Sequence, residues 1–111
     1  MVVVTINQAN LAASTKTANL LANTDLAFLP YDASVDVYVV SSAAGVNIEL
    51  GVGNEKAISD REIITIGTTL LDDHLIASFD AAAGAPLSLF LRETAAAATT
   101  DVLIKIEAEA L

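Results

Sequence analysis

The sequence predicts an all-β protein: a single antiparallel β-sandwich of about eight strands, jelly-roll-like in arrangement. Three observations predict it. Apolar residues recur with a period of two in Ser34–Ser41, Val46–Val52, Pro86–Glu93 and Asp101–Ala110, a spacing that lines one face of a strand and no face of a helix. Turn residues punctuate the chain at short intervals, at Pro30-Tyr31-Asp32, Ser42–Gly45, Gly53-Asn54 and Gly84, which is the rhythm of a sandwich or barrel. The two C-terminal ribbons, finally, present walls of branched apolar side chains that only a second sheet can cover.

Taken in order, Met1–Ile6 carries Val2, Val3 and Val4 on consecutive positions. A strand apolar on both sides is expected to be buried on both sides, inserted between sheets or lent to a neighbouring subunit; the alternative is an ordinary first strand of the sandwich. Asn7–Thr24 is rich in Ala, Asn and Thr and lacks an apolar stripe, so it reads as a loop followed by a short strand near Lys16–Leu21. Residues 1–24 thus form a possible N-terminal strand and arm of one domain spanning 1–111. Asp25–Leu29 reads as a strand halted by Pro30, which cannot donate to a ladder.

Ser34–Ser41 places Val35, Val37 and Val39 against Asp36 and Tyr38, and Val46–Val52 returns with Val46, Ile48, Leu50 and Val52 on one face. Together they are the clearest hairpin. Short strands are expected through Ala57-Ile58, over Glu62–Ile66, and over His74–Phe79 with Leu75, Ala77 and Phe79 on one face. In Pro86–Glu93, Leu87, Leu89 and Leu91 oppose Ser88, Phe90 and Arg92. In Asp101–Ala110, Val102, Ile104, Ile106 and Ala108 oppose Lys105, Glu107 and Glu109.

Composition narrows the function. Fourteen acidic against five basic residues give a net charge of −9, which disfavours nucleic acid and anionic lipid as partners. The scattered acids read as a solvated, mutually repelling surface, or as a complement to a basic partner. Mean hydropathy is +0.59, yet no apolar run approaches the ~20 residues of a membrane span, and no basic-then-apolar leader opens the chain. There is no Cys, hence no disulfide framework, thiol nucleophile or thiolate metal site. Core and partner surfaces are left to account for the apolar content.

Chemistry-bearing patterns are sparse, and no catalytic, cofactor-binding or metal-binding residue is assigned. Asp72-Asp73-His74 holds the sole His, but neighbouring strand residues point to opposite faces, and no nucleophile turn accompanies it. Zinc needs at least three protein ligands. The acidic pairs Asp60/Glu62 and Asp72/Asp73 lack the spacing of a calcium loop. Gly51-Val52-Gly53 has no following helix to cradle a phosphate. Carbohydrate-binding sandwiches stack sugars on exposed aromatics, for which Tyr31 is the candidate. The chain is therefore not expected to be an enzyme.

An assembly role has more support. Val3 opposes Val2 and Val4, Val40 shares the solvent-side register of Asp36 and Tyr38, Phe90 lies with Ser88 and Arg92, and Leu103 and Leu111 lie on the charged face of the last strand. Several surplus apolar residues on one small sandwich imply a covered surface, which a cyclic homo-oligomer would supply.

The chain also resembles the small capsid cement or decoration proteins of tailed bacteriophages, encoded beside major capsid proteins. The likeness runs through Leu20-Leu21-Ala22-Asn23-Thr24, Ala27-Phe28-Leu29-Pro30, the Gly45–Gly51 hairpin, Leu71-Asp72-Asp73-His74-Leu75-Ile76 and Gly84-Ala85-Pro86-Leu87-Ser88-Leu89. It is a pattern of small-residue loops and alternating strands with no catalytic or ligand motif. Where relatives favour an aromatic after the two acids, this chain has His74. The resemblance implies a structural virion protein, made in the host cytoplasm, that sits as a β-sandwich homotrimer on the outer capsid and clamps neighbouring major capsid protein subunits. The alternative is a carbohydrate- or receptor-binding module of a phage spike or fibre.

Overall fold

The computed structural model describes residues 1–12, 16–94 and 100–111. Seven strands appear in the order β1 (Val2–Leu11), β2 (Ala33–Ser41), β3 (Val46–Val52), β4 (Glu55–Glu62), β5 (Leu75–Ala81), β6 (Leu87–Glu93) and β7 (Thr100–Ala110), with a 3-10 turn over Asp72–His74 before β5. They form two antiparallel sheets, β1-β7-β2-β5 and β4-β3-β6. The two C-terminal ribbons, β6 and β7, therefore belong to opposite sheets. Their apolar walls, Leu87, Leu89 and Leu91 on one and Val102, Ile104, Ile106 and Ala108 on the other, are buried in one core with Val35, Val37, Val39, Val46, Ile48 and Leu50.

The sheet orders are those of a jelly roll whose eighth strand, beside β6, has been reduced to a short extended segment. Lys16–Leu20 runs along the free edge of β6, with an isolated antiparallel bridge between Lys16 and Arg92. Thr17 N–H donates to the Leu91 carbonyl and Leu20 N–H to the Leu89 carbonyl. The return bonds are made by side chains: Leu91 N–H donates to Thr17 Oγ1 and Leu89 N–H to Asn19 Oδ1, each at 3.0 Å. Thr and Asn compete well for backbone donors. Their side chains here replace the ladder carbonyls of the strand expected at Lys16–Leu21.

The expected strand Asp25–Leu29 is instead a run of turns. Thr24 organises it: its N–H and hydroxyl both donate to the Leu21 carbonyl, and its Oγ1 accepts from Leu26 N–H. Asn23 takes a positive φ of 64°, as a short polar residue can. The turns plug the end of the sandwich with Leu21, Leu26 and Leu29, all buried.

β1 is longer and more one-sided than its valines suggest. It continues to Leu11 and pairs with β7 from Val2↔Ala108 to Gln8↔Val102. Val2, Val4 and Ile6 face the core but stay half-buried, while Val3 on the opposite face is 50% exposed. The strand is an edge of one sheet, not a ribbon buried on both faces, so its outer valine has no second layer to cover it.

Two departures from regular pairing shape the surface. Opposite β2, the register of β5 shifts between Val37 and Tyr38, which turns Leu75 outward against the predicted alternation and leaves the extra residue, Ile76, packed on the core. Beyond that point the connector residues 63–67 take the place of β5 along β2. Ser41 N–H donates to the Thr65 carbonyl, Gly67 N–H to the Ser41 carbonyl and Thr65 Oγ1 to the Val39 carbonyl. The predicted strand over Glu62–Ile66 is thus this connector, joined to β2 by a single parallel bridge between Ser41 and Ile66.

At the β3–β4 hairpin, Gly53 turns with φ +60°. Gly51 lies opposite Ser88, and a Cβ there would sit 2.6 Å from Ser88 Oγ, so a side chain at this position requires the Ser88 hydroxyl to rotate away.

Candidate assembly surfaces

The five surface residues expected from the sequence do not form one patch. Val3 and Leu103 share the outer face of the four-stranded sheet, but Val3 pairs with Glu107 and Leu103 with Asn7, four positions further along. Leu103 is half-buried in a shallow cleft with Asn7, Ser42, Gly67, Thr68 and Asp101. Val40, across from Leu103, is not a surface residue: it is 1% exposed. The connector lies over it, with Gly67 so close that a Cβ would meet Val40 Cγ2 at 3.4 Å. Its solvent-side register was legible, but the covering segment comes from a distant stretch of chain. Phe90 lies on the outer face of the other sheet, half-buried under Lys16, whose Nζ sits 4.9 Å from the ring centroid. Leu111 is 73% exposed at the end of β7, where its N–H donates to the Asp32 carbonyl.

A different apolar surface is prominent. Ile64, Ile66, Leu71 and Leu75 are all exposed, Ile64 by 83%. Ile64 and Leu75 line a groove of about 480 Å³ together with Arg61, Glu62, Ile63, Thr65 and Ile76. The groove opens where β4 ends, the connector crosses to β2, and β5 begins after its 3-10 turn. Arg61 pins its rim by donating from Nη2 to the Ile76 carbonyl at 2.7 Å. Ile63 turns inward, its N–H donating to the Val46 carbonyl. In an extended chain that forces Ile64 outward. The adjacent Ile63-Ile64 pair, apolar on both faces of one extended segment, was the signal available in the sequence.

The charge of the chain as a whole is one-sided, fourteen acids against five bases. All five basic side chains are engaged within the chain. Lys16 and Lys56 flank Glu49 at 3.8 and 2.9 Å, Arg61 holds the groove rim, and Arg92 donates to Asp60 Oδ2 at 2.5 Å. Lys105 lies 3.3 Å from Glu107, 3.7 Å from Asp72 and 4.5 Å from the Tyr38 ring centroid. The Arg92 hydrogen bond holds the Asp60 carboxyl below its usual pKa, and the Glu107 hydrogen bond raises that of Lys105. Partial loss of solvent, then the charge of Glu107, raises that of the Tyr38 phenol. Four of the five cations thus face a carboxylate and the fifth, Arg61, a backbone carbonyl.

Asp72-Asp73-His74 forms a turn, not a strand. His74 Nδ1 accepts the Leu71 N–H at 2.9 Å, His74 N–H donates to the Leu71 carbonyl, and Nε2 lies 3.9 Å from Asp73. The imidazole is thus used to close the turn that starts β5. Among the described residues, no group of three or more His, Cys, Asp or Glu is placed to hold a metal ion. Every buried side-chain polar atom among them has a hydrogen-bond partner. Tyr31 packs half-buried against the core, fastening its turn to the sandwich, while Phe28, 63% exposed beside Gly84, is the bare aromatic of that end.

The fold and its surfaces define a jelly-roll β-sandwich whose exposed apolar groove is rimmed by polar and charged groups. The chain matches no protein-family model, no curated protein and no solved structure at a significant level.

Proposed function

We propose that this protein is a non-enzymatic structural protein that works by adhesion, a capsid cement or decoration protein that joins other copies of itself and a major capsid protein on the outside of a phage head. One observation carries the reading: Ile64 and Leu75 stand exposed around a groove on a chain in which four of the five cations already face a carboxylate. Exposed apolar clusters with polar rims are what a protein partner covers. Full burial of one Ile or Leu contributes roughly 1.5–3 kcal/mol, so a groove with two such anchors gives a modest single contact. Repetition over a capsid lattice then multiplies modest contacts into firm attachment. The resemblance in the loops and strands supplies the phage head as the setting. The acidic surface keeps decorated particles apart or meets basic capsid patches.

The test uses empty shells assembled from a tailed-phage major capsid protein, the partner class this reading names. Wild-type protein is expected to co-sediment with the shells and raise their disruption temperature, and Ile64→Asp/Leu75→Asp to stay in the supernatant while retaining a wild-type circular dichroism spectrum. Failure of the wild-type protein to co-sediment, or undiminished binding by the folded double variant, overturns the proposal.

A further inference from the structure

A sandwich of two open sheets has four edge strands, here β1, β5, β4 and β6. Soluble proteins guard such edges with charge, bulges or covering segments, because unpaired N–H and C=O groups recruit other strands. Three of the four are guarded. β6 is covered by Lys16–Leu20, through both backbone and side-chain bonds. β4 carries Glu55, Lys56, Asp60, Arg61 and Glu62, with two register irregularities against β3. β5 is bulged opposite Val37/Tyr38, carries Asp80, and has its Ile76 carbonyl occupied by Arg61.

Over Val2–Gln8, β1 has no such guard among the described residues; its one register irregularity against β7 lies beyond, between Gln8 and Leu11. It is ten residues long, Val-Val-Val-Thr-Ile-Asn-Gln-Ala-Asn-Leu, with no Pro and, alone among the seven strands, no ionisable side chain. Its pairing with β7 is regular from Val2 to Gln8, and no strand pairs with its other edge among the described residues. Its core-facing residues Val2, Val4 and Ile6 are only half-buried, and Val3 is half-exposed on the outside.

We infer that β1 is a self-pairing edge: two copies of this chain join antiparallel through β1, making one continuous eight-stranded sheet across a two-fold axis. Charge selects a second copy as the occupant. Each chain carries −9, so most self-contacts bring acid against acid. β1 is the strand along which two copies meet with no charge on either side of the seam. A foreign strand chosen by charge would find nothing on β1 to read, whereas a copy matches it in length and hydrophobicity. Antiparallel pairing about a two-fold also places Val2, Val4 and Ile6 beside their symmetry mates on one face, extending both cores across the seam. The groove of Ile64 and Leu75 lies at the opposite side of the four-stranded sheet, beside β5, and stays open in the dimer. This inference is independent of the capsid reading, and its two-fold geometry differs from the three-fold assembly that the resemblance implies.

The experiment combines light scattering on a sizing column, over a concentration series, with residue-resolved hydrogen exchange on the full chain. A dimer is expected at twice the 11.4 kDa of one chain. In a lone edge strand, alternate amides point to solvent and exchange fast; in a paired one, both sets are bonded. Slow exchange at every amide from Val3 to Gln8 is therefore expected in wild-type protein. Val3→Lys/Asn7→Lys, which sets like charges along the seam and places one lysine beside Glu107 of its own chain, is expected to elute as monomer with alternate amides released. A monomeric or trimeric wild-type protein, or alternate fast amides along β1 of the wild type, overturns the inference.

Discussion

Removing the Asn19 side chain amide tests whether side chains stand in for a missing strand. Asn19 Oδ1 accepts two backbone donors, Leu21 N–H and Leu89 N–H, both at 3.0 Å and both part-buried. Asn19→Ala strands both. An unpaired buried donor costs about 1–3 kcal/mol; because these two are part-buried, the lower half of that range applies, giving about 2–4 kcal/mol in total. Against a typical domain stability of about 5–15 kcal/mol, this is a large loss, equivalent to a fall in Tm on the order of 10 °C or more. The assay is urea unfolding at fixed protein concentration, since self-association would otherwise shift the midpoint. The midpoint is expected to fall with an unchanged slope, and the Leu89 amide to exchange faster. Asn19→Asp keeps the acceptor and is expected to retain most of the stability. A loss below about 0.5 kcal/mol in Asn19→Ala, the size of an ordinary surface substitution, or an equal loss in Asn19→Asp, would refute the reasoning.

Two further outcomes are expected. Gly51→Ala brings a Cβ to 2.6 Å from Ser88 Oγ, the free end of a side chain that can rotate away, and meets nothing else closer than 3.7 Å; it should therefore cost less than about 1 kcal/mol in urea unfolding, and a larger loss that Ser88→Ala relieves in a double-mutant cycle would show that the Ser88 hydroxyl is locked in place. The Asp60 carboxyl is held below its ordinary 3.8 by Arg92, so it binds fewer protons folded than unfolded. Its stabilisation is present above pH 3.8 and is lost as pH falls through the folded value. The acid limb of the Tm-against-pH curve should therefore be shallower in Asp60→Asn than in wild type, and identical limbs would show that the pair contributes nothing to folding.

The long strands were legible because the period of two is a local property of the backbone. Val46–Val52 stands as read, Ser34–Ser41 gains one residue, and the inward sets of β6 and β7 are buried as their alternation requires. Short and irregular segments were less legible, because what fixes them lies far away in sequence. Lys16–Leu20 is ordered by β6, some seventy residues downstream. Leu75 faces out, although its alternation with Ala77 and Phe79 says otherwise, because β5 bulges against β2. A bulge inverts every face assignment beyond it.

The candidate surfaces divide the same way. Val40 was readable as solvent-side within β2, but the connector at Gly67 buries it. The Ile64/Leu75 groove joins two stretches that no local pattern connects.

By itself the sequence determined the all-β class, the −9 charge and which residues of each long strand share a face. Those follow from composition and backbone periodicity, which need no neighbours. Only the tertiary structure decided which sheet each strand joined, which edge was left unguarded and which apolar residues stayed bare. Each of those depends on what packs against a residue from elsewhere in the chain.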